Sequence, residues 1–135
     1  MTQEELIKLM QDSAAEAVEI AKSDMDIELD NSEDSLQLVD KVLVQYHLAH
    51  AQTAFSDEQI FTICNLFGAY VGEIFKQKIG GEWRMDESDE QAPFVTLGYG
   101  VKDYPFPSIC YQKLVKDSTI SVQKYFKLAS DDMTQ

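Results

Sequence analysis

The chain has 135 residues, is 44% hydrophobic and 26% charged, and carries a formal net charge of −13 at pH 7. That length fits one domain, residues 1–135, with its own core, and the apolar share excludes a disordered composition. The charge excludes nucleic acid or an anionic membrane as a main partner. It is also uneven: residues 1–60 hold 14 acids and 3 bases, net −11, whereas residues 61–135 hold 10 acids and 8 bases, net −2. An acidic half of this kind is ordinarily a solvated surface, and it also suits a basic partner.

The opening MTQEELIKLM lacks a basic start and a long apolar core. No secretory signal is therefore expected, and the protein is expected in the cytoplasm. Residues 2–24 predict a first helix, begun by a capping box of Thr2 and Glu5. Its stripe of Leu6, Met10, Ala14, Ala17, Val18 and Ala21 is narrow and built of small residues, so residues 1–25 are expected to pack peripherally or against another subunit. An acidic connector, DMDIELDNSED, follows. It lacks the central glycine and closing glutamate of a calcium loop. A second helix is expected from about Asn31 to His47, with Asp30 and Glu33 as its capping box and Leu36, Val39, Leu43 and Tyr46 on one face. His47 and His50 have no third ligand nearby, so a helix-end or surface role is expected and no metal site.

The stretch from Phe55 to Trp83 organises the rest. Ser56 and Gln59 form a capping box, Phe55 and Ile60 a staple, and Asp57 and Glu58 suit the positive end of the helix dipole. Lys76, Lys78, Gly80 and Gly81 mark the end. Apolar residues between these limits fall on more than one face, so this helix is expected to be surrounded by protein. Gly68 and Gly72, four apart, each cost about 1 kcal/mol against Ala in a helix interior. A backbone or large ring is expected against them. Glu73 reads first as a structural acid and second as a functional carboxylate, with Arg84 its nearest expected charge partner.

The period then changes to two. Glu82–Asp86 predicts a strand with Trp83 and Met85 on one face and Arg84 on the other, DESDEQA a hairpin loop, and Pro93–Gly98 the return strand. Val101–Tyr104 predicts an edge strand stopped by Pro105. The segment Tyr104-Pro105-Phe106-Pro107 is expected to pack over the sheet, with an exposed docking patch as the alternative. Two last helices are expected, one over about 107–116 and one capped by Asp117 and Ser118 through about Leu128, with residues 130–135 a disordered tail.

Reaction chemistry is not legible. There is no GxSxG, P-loop, HExxH or GxGxxG. Cys64 and Cys110 sit among apolar neighbours, as inert buried thiols do. No cofactor is implied.

Tyr70-Val71-Gly72-Glu73, followed by Gly80-Gly81-Glu82-Trp83, resembles a family of small uncharacterised bacterial domains, the DUF3806-like group. The acidic N-terminal part with Ser35-Leu36, the Pro-Phe-Pro stretch and Tyr125-Phe126 add to the likeness, which covers about residues 30–128. The resemblance implies an α+β fold and a bacterial source, and brings no activity and no site residue.

The expected architecture is α+β, with four or five helices packed on a two- to three-stranded antiparallel sheet. The leading functional reading is a non-catalytic interaction domain, an acidic inhibitor or immunity-type partner of a basic protein, binding through Glu28, Asp30, Glu33 and Asp34. The alternative is a small-molecule or enzymatic site at Glu73, Arg84, Trp83 and Tyr70. Either a monomer or a homodimer through the first helix fits.

Overall fold

Local signals set the first elements. In the computed structural model, which describes residues 1–87 and 94–134, helix α1 spans Gln3–Met25. Its capping box is formed: Thr2 Oγ1 accepts from Glu5 N at 3.1 Å, and Glu5 accepts from Thr2 N. A 3-10 turn, Glu33–Ser35, leads into α2, Leu36–Gln52. Helix α3, Asp57–Lys78, starts at the expected box of Ser56 and Gln59. It stops where Gly80 and Gly81 take φ of 122° and 105°, a region that side chains rarely enter.

The second start differs from expectation. Ser32, not Asp30, caps the turn, and Asp30 instead accepts from Ser32 N and Oγ. An Asx-type turn competes with a helix cap for the same carboxylate, and here it wins. Helix α2 also runs past His47 to Gln52.

Strands β1 (Glu82–Asp86), β2 (Phe94–Tyr99) and β3 (Lys102–Tyr104) make an antiparallel sheet in the order β1-β2-β3. Trp83 pairs with Leu97, and Leu97 with Tyr104, so one face carries the buried residues of all three strands. The expected loop after Asp86 and the Pro93 start of the return strand lie largely outside the described residues, at 88–93. Helix α4, Phe106–Tyr111, continues as a π turn, Gln112–Lys116, and α5 spans Val122–Thr134. Five helices on a three-stranded sheet make the fold α+β.

Helix α3 is the hub. It packs against α1, α4 and α5, and Phe67, Tyr70, Val71 and Phe75 on it are fully buried. Burying each of these side chains stabilises by about 2 kcal/mol. The expectation of enclosure fails at its other end, where Phe61 is 59% exposed. Helix α1 is not peripheral. Its stripe of Leu6, Met10, Ala14, Ala17 and Ala21 is buried within this one chain, because small residues let two helices approach closely. Both expected close contacts on α3 are present. A Cβ on Gly68 would lie 2.5 Å from Pro107 Cα, and one on Gly72 would lie 2.1 Å from Trp83 Cη2.

The last helix departs most from the sequence reading. Asp117 and Ser118 do not cap it. Asp40, from the second turn of α2, accepts from Val122 N at 2.7 Å, Gln123 N at 3.2 Å and Ser121 Oγ at 3.1 Å. Lys113, only 4% exposed, donates to the carbonyls of Ser118 and Ile120 and lies 3.7 Å from Asp40 Oδ1. The cap is thus supplied from a distant helix, with its charge balanced by a buried ammonium. Residues 130–134 are no loose tail: α5 continues through Thr134, Ser130 is buried, and Asp132 accepts from Lys102 and from Tyr104 Oη.

Asp40→Ala is expected to lower stability by about 3 kcal/mol, since it removes a helix cap and leaves Lys113 buried without its counter-charge. Urea unfolding measures it, and a loss below about 1 kcal/mol would contradict the network described. Gly72→Ala is expected to cost about 2 kcal/mol or more by overpacking against Trp83, although Ala favours helices intrinsically.

Candidate functional site

The four residues marked by the alternative reading make separate contacts among the described residues. Trp83 and Tyr70 are fully buried. The indole lies over Gly72, and its Nε1–H donates to Glu73 Oε2 at 2.8 Å. Glu73 also pairs with Lys76 at 3.4 Å, not with Arg84. Tyr70 Oη accepts from Asn31 N at 2.9 Å and lies 2.6 Å from Ser35 Oγ, which fastens the acidic connector to α3. Arg84 follows Trp83 on a strand and so takes the other face. There it stacks over Gly98 and reaches Gly100 O, Asp103 and Glu82. Each of the four makes a contact that holds elements together.

The acidic positions are surface residues with unequal freedom. Glu28 pairs with Lys22 at 2.7 Å, and Glu33 with Lys78 at 2.7 Å. Asp30 is occupied by Ser32, whose two hydrogen bonds hold its carboxyl below the usual carboxylate range. Asp34 is exposed. The two histidines serve the fold: His47 Nδ1 donates to Leu114 O at 2.7 Å, and His50 Nδ1 accepts from Phe55 N at 2.9 Å. Among the described residues, no three His, Cys, Asp or Glu side chains gather as a metal site would. Burial pushes the Cys64 thiol up to about 12 and raises Cys110 well above its ordinary value. Neither offers a thiolate near neutral pH. Among the described residues, no helix is long and apolar enough to cross a membrane.

The feature that stands out lies elsewhere. A groove of about 500 Å³ runs between α1, the first half of α3, the β1–β2 ribbon and α4. Leu9, Phe61, Met85, Val95, Pro107 and Tyr111 line it, with Cys64, Asn65 and Ser108. Leu9 is 44% exposed, Phe61 59% and Met85 38%. Phe61 and Tyr111 stack at 6.1 Å between ring centroids, so the apolar wall is preformed. Two smaller clefts continue from it. One is shared by Phe61, Tyr111, Ile60 and Asp57, the other by Met85, Leu6 and Glu87. Asp57 lines the first of these clefts and Glu87 the second.

Sequence reading missed this groove because Phe61 and Leu9 are unremarkable as letters. The available signal was their position. Leu9 lies beside the Leu6–Met10 stripe and not on it, and Phe61 comes one residue after the staple position Ile60. Large apolar residues off a buried stripe mark exposed patches.

No family model, curated protein or solved structure matches this chain. The site is therefore read from its geometry. Glu73→Gln, which keeps an oxygen acceptor for the indole N–H, is expected to cost less than about 1 kcal/mol, whereas Glu73→Leu is expected to cost about 2 kcal/mol by leaving that donor buried and unpaired. Denaturant titration of the two variants checks this. Equal costs would contradict the structural role of Glu73.

Proposed function

We propose that this chain is a non-catalytic bacterial interaction domain that holds a basic protein through the groove between α1, α3, the sheet and α4. The observation that carries the reading is an exposed apolar groove, with Asp57 and Glu87 in two clefts that share residues with it, on a chain of net charge −13. Stable interfaces combine an apolar, aromatic centre with a charged rim, and Phe61, Tyr111 and Met85 are residue types such centres favour. One of the groove's walls, α1, belongs to the acidic half of the chain. The fitting partner presents an apolar segment flanked by Lys or Arg.

The division of labour is physical. The groove supplies affinity by removing apolar surface from water. The acidic half, including Glu28, Asp30, Glu33 and Asp34, supplies a long-range field that speeds encounter and vanishes with salt. An inhibitor or immunity-type role in the cytoplasm fits this arrangement. The resemblance to the DUF3806-like group is compatible with it. In this chain the Gly72, Glu73, Gly80, Gly81 and Trp83 pattern serves a packing contact and a turn, so it marks a fold and not a chemistry.

Phe61→Glu is expected to abolish capture of a basic protein from native lysate while leaving the melting temperature unchanged, because Phe61 is mostly exposed. Raising salt from about 0.01 M to about 0.15 M is expected to slow association by about tenfold. Charge reversal at Glu28, Asp30, Glu33 and Asp34 is expected to slow it similarly with little change in dissociation. Capture that survives Phe61→Glu, or that ignores salt, contradicts the proposal.

A further inference from the structure

A second cleft, of about 410 Å³, lies where the C-terminal end of α1, the middle of α2 and the first turns of α3 meet. It shares no lining residue with the groove. Its apolar part is Ile20, Ile63, Phe55 and the ring of Tyr46, and two carboxylates, Asp24 and Glu58, border it. Tyr46 and Phe55 meet edge to face at 6.3 Å, which fixes a rigid aromatic wall. We propose that this cleft binds a small aliphatic diamine or polyamine, its ammonium ends on Asp24 and Glu58 and its methylene stem along Ile20, Ile63 and the two rings.

Several observations select that chemistry. No Lys or Arg lines the cleft, so no ammonium or guanidinium is there to meet an anion. The first turn of α3, which otherwise attracts anions, is already occupied: Ser56 Oγ accepts from Gln59 N at 3.1 Å, Gln59 Oε1 accepts from Ser56 N at 2.8 Å, and Asp57 and Glu58 add two negative charges. Asp24 sits in the last turn of α1, where the helix dipole also favours a cation. The Tyr46 hydroxyl has no hydrogen-bond partner among the described residues, which leaves its oxygen open to an ammonium. The size of the cleft lies within the range of small-molecule sites. Two carboxylates beside an apolar wall, with no metal-type cluster among the described residues, suit an organic cation with an apolar stem better than a bare divalent ion.

Spermidine is the probe, titrated calorimetrically at about 0.15 M salt, where diffuse attraction to an acidic surface is screened. The expected result is saturable one-site binding that weakens about tenfold or more in Asp24→Asn and in Glu58→Gln, and is unchanged in Glu16→Gln on the exposed face of α1 and in Phe61→Glu in the groove. All four replacements are at exposed positions, and equal melting temperatures verify that the fold is kept. Unsaturable binding, equal loss in Glu16→Gln, or displacement of spermidine by equimolar magnesium would overturn the site as a diffuse acidic surface. Loss in Phe61→Glu would assign the binding to the groove instead. Because the groove variant is scored separately, failure here leaves the interaction reading untouched.

Discussion

The contact between Trp83 and Gly72 is the constraint from which the architecture follows. A tryptophan can lie against a helix backbone only where a side chain is missing, and Gly72 provides that gap in the middle of α3. The buried indole N–H then needs an acceptor, and Glu73, the next residue, supplies one. The same tryptophan ties in α1, because Gln3 Nε2 donates to Trp83 O at 2.7 Å. Helix, strand and N-terminal helix therefore converge on one residue. A substitution that widened Gly72 would push β1 outward, and β2 and β3, paired to it in register, would follow.

A second anchor acts at the far side of α2. Asp40 and Lys113 hold the start of α5, and they hold it with charge in a place with little water. Such pairs add less net stability than their geometry suggests, because both ions are desolvated. Their effect is on uniqueness: α5 can begin only where Asp40 can reach it. Aromatic packing then completes the layer, with Phe75 meeting Tyr104, Phe106 and Phe126 at centroid distances of 5.2 to 5.7 Å.

Much of this was legible in the letters, and what was not has a common cause. The capping boxes at Thr2 and Ser56, the glycine stop, the three strands and the close approach at Gly68 and Gly72 are local or one-element signals, and they read correctly. The Asp40 cap joins residues some 80 positions apart, so Asp117 and Ser118 were the natural local choice. The end of α5 failed similarly: SDDMTQ is polar, but Asp132 is held by Lys102 and Tyr104 across the sheet edge. The four residues Glu73, Arg84, Trp83 and Tyr70, read together in the sequence, make separate contacts in the fold for the same reason. Neighbours in sequence were dealt to opposite faces, and the exposed groove was assembled from five separate elements. Surfaces built across elements leave only faint traces in a single sequence, here Leu9 beside its stripe and Phe61 past its staple.

The proposed placement of function on the surface rests on the centre being structural. Trp83 is the sole tryptophan, so its indole proton gives an unambiguous signal by nuclear magnetic resonance. Hydrogen exchange at that proton under native conditions tests the claim directly. If Glu73 and Gly72 lock the ring as described, the indole proton exchanges only through global unfolding, with the same protection as the slowest amides of α3. Exchange that is far faster than those amides would mean that the ring leaves its seat in the folded protein, and the centre would then be a site that opens and not the pivot of the fold.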